Sequence, residues 1–523
     1  MQMVSSLFSG VPPLFVALAK SISGDIDCTK RTIEEYSKDG SPYTVIPRAI
    51  IYPKNATDIK YTIAFSREYS MPLTVRGGGT SKNGGVLGEG IILDMSRYFT
   101  HVKQINMMEH TITVDAGVTI KNLREKLHGW NVDVPVLTSS DELSTIGGLL
   151  ATKSSTPSSF HNGTIREWVE SLSVVVDTGE EHRIADGITP SGRLLGIYQS
   201  VFPILSEGGP IIRANKPENN DDSTGYSVWN TSIGPRQLID ELVGSEGTLG
   251  IITSVTLRLS PHKKHSATSF IPINETSLLT TCIDIAKHHN AEHIFLYDST
   301  FKKLTDEYHN NLLPKTLDAP YTLLVTHKDT DREKVHLKTK SFIRALPVKE
   351  DSIIYTENFA TIEHVSSNPF VFSIFKNYTK DKLKIITTGN GLIIPTHVYA
   401  TCLHEIDEYL SGTEKPYIIT GNAGSGHINI TIGLESEKMI KQESINSFNE
   451  KIFSIIKKYK GGISAVGGDG LSRTPYLGYV YNDATKEIFK KIKEAWDERH
   501  IFNPGKKIST STDYLSKHID NSN

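Results

Sequence analysis

The most constraining stretch of this chain is Val75-Arg76-Gly77-Gly78-Gly79-Thr80-Ser81, a glycine triplet entered directly from a β-rich run. Three consecutive residues without a Cβ let successive main-chain amides curl toward one point, which makes a concave anion site. Thr80 and Ser81 add hydroxyl donors. A diphosphate suits such a nest, and a flexible glycine turn is the plain alternative. Neither G-x-G-x-x-G after a strand nor G-x-x-x-x-G-K-[ST] occurs in the chain, so a Rossmann site and a P-loop are poorly supported.

The surrounding text sets that loop in an α+β context. Ile46 to Tyr52 reads as a strand, a helical stretch opens at Thr57, and Pro72 to Val75 leads into the glycines. Thr111 to Val118 puts Ile112, Val114, Ala116 and Val118 on one side, the period of a half-buried strand. Leu172 to Val176 ends at an Asp-Thr-Gly turn, and Ile251 to Leu259 alternates again before the polar break Ser260 to Lys264. A first domain over 44–263 follows, preceded by an N-terminal segment, 1–43. Beyond the break, Tyr321 to Val325 is strand-like and Asp331 to Leu346 helical. Ile445, Phe448, Ile452, Ile455 and Tyr459 step at three and four, one apolar helix face. These define a second, α+β domain over 264–460. The tail, 461–523, carries a helix for which Asp483 is the N-cap candidate, and it stops at Asn503-Pro504-Gly505.

Composition excludes several classes. At 523 residues the chain is too long for one ordinary core, and 38% apolar with 22% charged residues describes a folded chain rather than a disordered one. Lys and Arg number 56 against 59 Asp and Glu, a net charge of -3, so nucleic acid is an unexpected partner. Cys28, Cys282 and Cys402 lie far apart and offer no iron–sulfur or cysteine–zinc set. No Lys or Arg precedes Lys20, and Pro12-Pro13 interrupts the apolar N-terminus. The expectation is therefore no transmembrane segment and a cytoplasmic protein, with an N-terminal helix suited to a peripheral position at the inner membrane face.

Three further segments follow the glycine loop in order: Ser139 to Gly148, Asn162 to Glu167, and Gly244 to Ile252. The ordered set resembles the PCMH-type FAD-binding domain of the vanillyl-alcohol-oxidase flavoproteins, and within them the FAD-linked oxidases that include D-lactate, glycolate and D-2-hydroxyglutarate dehydrogenases. The resemblance spans 44–260 and resumes over 420–508. It implies a two-part FAD-binding domain, an α+β substrate (cap) domain, and a C-terminal tail returning to the flavin. It also implies that Arg76, Gly77, Gly78, Gly79, Thr80 and Ser81 hold the pyrophosphate. Ser140, Asp141, Thr145, Gly147, Gly148, Gly163 and Thr164 would run along the phosphates and flavin ring. Glu246, Gly250, Ile251 and Ile252 would meet the nucleotide, the last two at its adenine end, with Asn503 closing the site. Some relatives tether FAD through a His just after the glycines; Thr80 stands there, so the FAD expected here is non-covalent.

The C-terminal part departs from the pattern the resemblance implies. Asn422 and Asn429 stand where metal-dependent members carry His, and Val466 and Gly467 where they carry a Glu-His pair, so no metal is expected from these positions. The general base goes with them. His427, Asp469, Arg473 and Tyr476 are the replacement candidates, the first two as base and Arg473 as the partner of an acid group. The resulting expectation is an FAD-dependent oxidoreductase taking a hydride from a C–H bond next to oxygen in a hydroxy acid, alcohol or sugar. Its small-molecule substrate is unnamed, and its electron acceptor is a quinone, a cytochrome, another flavoprotein or oxygen. Two alternatives stand beside it: a flavin-binding protein with little turnover, and an NADPH-dependent reductase like UDP-N-acetylenolpyruvoylglucosamine reductase.

Overall fold

The computed structural model describes residues 11–137, 143–229, 234–309, 312–315, 318–357, 365, 367–380, 383–436 and 441–520. Four strands come first: β1 (Asp25–Asp27), β2 (Ala49–Tyr52), β3 (Leu73–Arg76) and β4 (Ile91–Asp94). They pair in the order β1-β2-β4-β3, with β2, β4 and β3 parallel and β1 antiparallel at the edge. The helix Ala56–Glu68 crosses from β2 to β3, capped by Asn55, whose side chain accepts from the Asp58 amide at 3.0 Å. Its start lies one residue before the expected Thr57. The expected strand at Ile46 begins only at Ala49, because Ile46 is 68% exposed and has no core to face.

The next elements are β5 (Val102–Asn106), β6 (Thr111–Asp115), β7 (Val132–Asp133), β8 (Val169–Val175), β9 (Glu181–Ala185) and β10 (Ile251–Arg258). Five of them form an antiparallel sheet in the order β5-β6-β10-β8-β9. Ile112, Val114, Ala116 and Val118 are all buried, but β6 ends at Asp115, and Thr111 and Asp115 on the expected outer side are buried as well, so only Thr113 stays half-exposed and the strand is covered on both faces. The expected break at Ser260 is a short strand instead, β11 (Ser260–Pro261), paired with β7. Two residues at a sheet edge tolerate the proline, which has no amide to give to the ladder.

The remaining strands are β12 (His265–Ile273), β13 (His293–Asp298), β14 (Tyr321–Asp329), β15 (Ile354–Glu357), β16 (Leu383–Ile393), β17 (Tyr417–Gly421) and β18 (His427–Ser436). They make one antiparallel sheet, β15-β12-β14-β13-β17-β18-β16. The helices Leu278–His288, Tyr399–Ser411 and Gln442–Lys458 bury Cys282, Cys402 and Ile452 in the core on this sheet. The architecture is thus α+β, as expected.

The tail belongs to the first half as much as to the second. Ile488, Phe489, Ile492 and Trp496 of the helix Asp483–Trp496 join the core of the five-stranded sheet, and Trp496 donates through Nε1 to Glu241 at 2.7 Å. Asn482 rather than Asp483 caps that helix, accepting from the Thr485 amide at 2.9 Å. Asp483 lies one residue inside and pairs with Lys486.

Candidate active site

A cleft opens where β3 runs into the glycine loop. The loop packs against the segment leading into the helix Ile146–Ala151, and the approach is too close for side chains. A Cβ on Gly77 would stand 2.2 Å from Thr145 Oγ1, and one on Gly78 only 1.9 Å from the Leu143 carbonyl oxygen. Thr80 Oγ1 and Ser144 Oγ bridge the two segments at 3.1 Å. Thr145 caps the short helix by accepting from the Gly148 amide, while the Ile146 and Gly147 amides donate to Val118 and Ala116. By contrast, the amides of Gly78, Gly79, Thr80 and Ser81 have no acceptor among the described residues. Four half-buried donors in consecutive positions need an anion or water. The residues present therefore fit the diphosphate of a dinucleotide.

Arg76 lies at this loop with its guanidinium packed against Gly79, donating to the Tyr36 and Lys38 carbonyls at 3.1 and 3.3 Å and stacking on the Tyr36 ring. It fastens the N-terminal segment to the cradle. The floor of the cleft is lined by Ala116, Gly147, Glu246, Gly250 and Ile252, whereas Ile251 points into the core beside Val175. Asn503, at φ +40°, ties the floor together: it accepts from Thr74 Oγ1 and donates to the carbonyls of Gly85 and Glu246.

The cleft continues into a cavity of about 190 Å³ whose far wall is made of Thr387, Asn390, Val466, Gly467 and Arg473. Asn390 sits on β16 where pairing with β18 slips on both sides of Gly389, and Gly391 follows at φ +77°. Arg473 is fully buried, with Nη1 donating to the Val466 and Gly468 carbonyls and Nη2 to the Asn390 carbonyl. Burial brings its pKa down to about 10, so it remains a cation at neutral pH. Its Nε and the Asn390 side-chain oxygen are buried without a partner among the described residues.

Behind this wall lies a fully buried set of charges. Lys507 Nζ stands 3.1 Å from Glu246 and 3.0 Å from Asp469, and also donates to the Ser223 and Gly225 carbonyls. Glu246, held at φ +55°, accepts from the Asp469 and Gly470 amides. Burial disfavours the Lys507 cation, but Asp469 and Glu246 outweigh it and raise its pKa above the ordinary value. Burial pushes Glu246 up while Lys507 pulls it back. With Arg473 the set carries two charges of each sign, which is what makes its burial tolerable.

The structure brings together Gly77 to Ser81, Thr145, Gly147, Gly148, Glu246, Gly250, Ile252 and Arg473 around one cleft. Arg76 borders the same cleft and Asn503 braces its floor, while the remaining candidates lie elsewhere. Asp469 lies behind the wall, one oxygen accepting from Ser464 Oγ and the other from the Gly225 amide. His427 is wholly buried on β18, its Nε2 3.4 Å from Asp221. Tyr476 donates to Asn446 at 2.6 Å and packs edge-on against Phe453. Gly163, at φ +74°, precedes Thr164, which makes a capping box with Glu167; they stand one layer behind Ser154, a cavity residue. Ser140 and Asp141 lie outside the described residues. Asn390, Thr387 and Lys507 escaped the sequence reading. The glycines flanking Asn390 inside an apolar strand were the available signal, since they mark a bulge.

No group of three His, Cys, Asp or Glu side chains able to hold a metal occurs among the described residues, and no helix among them is long and apolar enough to cross a membrane. Comparison with known proteins agrees with the geometry. An FAD binding domain family matches residues 47–185, and the C-terminal domain of FAD linked oxidases matches 370–507. The D-2-hydroxyglutarate dehydrogenase of Pseudomonas putida is 24% identical across 95% of this chain and 52% of its own length. The chain thus spans about half the length of that relative. The glycolate oxidase subunit GlcD of Bacillus subtilis is 25% identical, covering 90% of this chain and 91% of its own. Among solved structures, alkyldihydroxyacetonephosphate synthase superposes with a TM-score of 0.65 at 16% identity, over 95% of this chain and 86% of the other. The 4-ethylphenol oxidase of Gulosibacter chungangensis also gives 0.65, at 15% identity, over 94% and 96%.

Proposed function

Because the chain belongs to the FAD-linked oxidases, with FAD as the family's cofactor, we propose that it oxidises a small hydroxy acid by removing hydride from the carbon that bears the hydroxyl. The observation that carries this reading is the junction of two unlike surfaces: four free amides at 78–81 open directly into a cavity walled by the buried cation Arg473. Bound non-covalently along the glycine wall, FAD would supply the two-electron acceptor. Gly78 to Ser81 would hold its diphosphate, and Gly147, Gly148 and Gly250 would leave room for it. Arg473 would take the substrate carboxylate, a charge-assisted contact made stronger by exclusion of water. The proteins similar to this chain include those named for D-2-hydroxyglutarate, glycolate and D-lactate, which favours an acid over a neutral alcohol or sugar. The three cysteines are free, which suits a reducing, cytoplasmic compartment.

The test is an absorbance spectrum of the purified protein, followed by anaerobic addition of glycolate, D-lactate and D-2-hydroxyglutarate. A yellow protein bleached by at least one of these acids supports the proposal. A bound flavin that none of them bleaches makes the chain a flavin carrier with little turnover, and bleaching by NADPH alone makes it a reductase. Which of quinone, cytochrome, flavoprotein or oxygen removes the electrons is read by adding each to the bleached protein.

A further inference from the structure

We propose that Asn390 is the residue that receives the substrate hydroxyl, and that none of the described side chains lining this cavity acts as the base. The inference rests on the hydroxy-acid reading above and adds to it a mechanism of proton release. Two buried polar atoms on one wall lack partners: the Nε of Arg473, a donor, and the side-chain oxygen of Asn390, an acceptor. Arg473 Nη2 donates to the Asn390 carbonyl, so the two residues are adjacent. A buried donor and a buried acceptor each cost about 1–3 kcal/mol when left unpaired, so the pair favours a ligand that satisfies both. An acid whose carboxylate accepts from Arg473 and whose neighbouring hydroxyl donates to Asn390 does so with one molecule.

The described residues lining the cavity include no carboxylate, imidazole, phenol or thiol; the amine of Lys82 belongs to the glycine-loop side rather than to the Asn390 wall, and Glu246, on the floor of the adjoining cleft, has its two oxygens engaged by the Asp469 and Gly470 amides. The charged groups around Asn390 are Arg473 beside it, Lys82 across the cavity, and Glu246, Asp469 and Lys507 behind Arg473. From β18, the side chain of Asn429 accepts from the Gly391 amide, and His427, opposite Ile393, is sealed against Asp221. The helix Gln442–Lys458 contributes the neutral Asn449, which accepts from Thr388. An amide oxygen does not take a proton at these pH values. It would fix the direction of the hydroxyl, while FAD, when bound along the glycine wall, would supply the acceptor for the hydride; the C–O bond would become a carbonyl and the hydroxyl proton would pass to water.

The experiment is stopped-flow bleaching of the FAD-loaded protein under argon, using whichever 2-hydroxy acid reduces it, from pH 6 to 9. The wild-type limiting rate is expected to vary less than about threefold, as follows if no described lining group takes the proton. Asn390→Leu should lower it about tenfold, the value of one lost hydrogen bond, with FAD affinity unchanged. Asn390→Asp should raise the limiting rate at least about tenfold above that of wild type, because a carboxylate beside Arg473, ionised across this range, now accepts the proton. A wild-type rate that falls tenfold per pH unit on the acid side, with Asn390→Leu keeping that profile, overturns the role of Asn390 and leaves the hydroxy-acid reading intact. If Asn390→Leu does not fold, the limiting rates of wild type and Asn390→Asp decide alone, and equal rates overturn the inference. Failure of every acid to bleach the wild type at any pH overturns both.

Discussion

The two walls of the cleft are built on opposite plans. The near wall, Gly77 to Ser81 against Leu143 to Gly148, presents main chain: its donors are amides, and its shape depends on missing Cβ atoms. The far wall, Thr387 and Asn390 with Val466, Gly467 and Arg473, presents side-chain polar groups, and the charge of Arg473 is balanced by Glu246 and Asp469, which Lys507 bridges behind it. A main-chain cradle serves any ligand with a diphosphate. A side-chain wall selects by charge and hydrogen-bond direction, and its specificity is easily retuned by substitution.

Breaking the far wall from behind should have the largest effect. Lys507→Met removes the ammonium that contacts both Glu246 and Asp469 and leaves Arg473 alone to balance two buried carboxylates, and removing one partner of a buried pair costs about 3–5 kcal/mol. Chemical denaturation of the FAD-free protein should show that loss; a change below about 1 kcal/mol would mean the carboxylates do not depend on Lys507. On the near wall, Gly78→Ala drives a methyl group into the Leu143 carbonyl and should weaken FAD binding about 100-fold, close to 3 kcal/mol, and, because the clash is with the protein's own main chain, should lower the unfolding free energy of the apo protein as well. Gly129→Ala, where nothing lies within 4 Å, is the matched control. If Gly78→Ala binds FAD as wild type does, the near wall is not the phosphate cradle. The contrast sharpens when FAD affinity is compared in Gly78→Ala and Asn390→Leu, because only the first should change it.

The near wall was legible in the sequence because its chemistry is local: seven consecutive residues carry both the glycines and the hydroxyls, and the strand and helix that frame them follow their own hydrophobic periods. The far wall was legible only in part. Arg473 could be singled out as an anion partner, but Lys507 reaches Asp469 and Glu246 across 38 and 261 residues of chain, and no local pattern encodes such a meeting. Asp469 and His427 carried the residue types a base requires, yet type says nothing of direction. Asp469 turns its oxygens to Ser464 and the Gly225 amide, and His427 turns toward Asp221. Asn390 was overlooked for the opposite reason, since an amide is not a proton acceptor and so was not sought.

The smallest expected effect tests how the tail supports the near wall. Lys506 is buried beneath the Gly84–Leu87 turn, whose Gly85 and Val86 line the cleft, and its Nζ donates to the Leu87 carbonyl at 2.5 Å. Burial lowers its pKa from 10.5 to about 8, with Glu246, Asp39 and Glu89 opposing the shift. A lysine whose folded pKa lies below its unfolded value binds fewer protons folded than unfolded between pH 8 and 10.5, so stability rises with pH through that window and is flat below it. From pH 7.5 to 9.5 the gain from this one group is about 2 kcal/mol. Lys506→Met removes it. The unfolding free energy of wild type relative to the variant should therefore climb by about that amount across the two pH units. A difference that stays constant would mean that Lys506 keeps an ordinary pKa, and that the turn under the glycine wall is open to water.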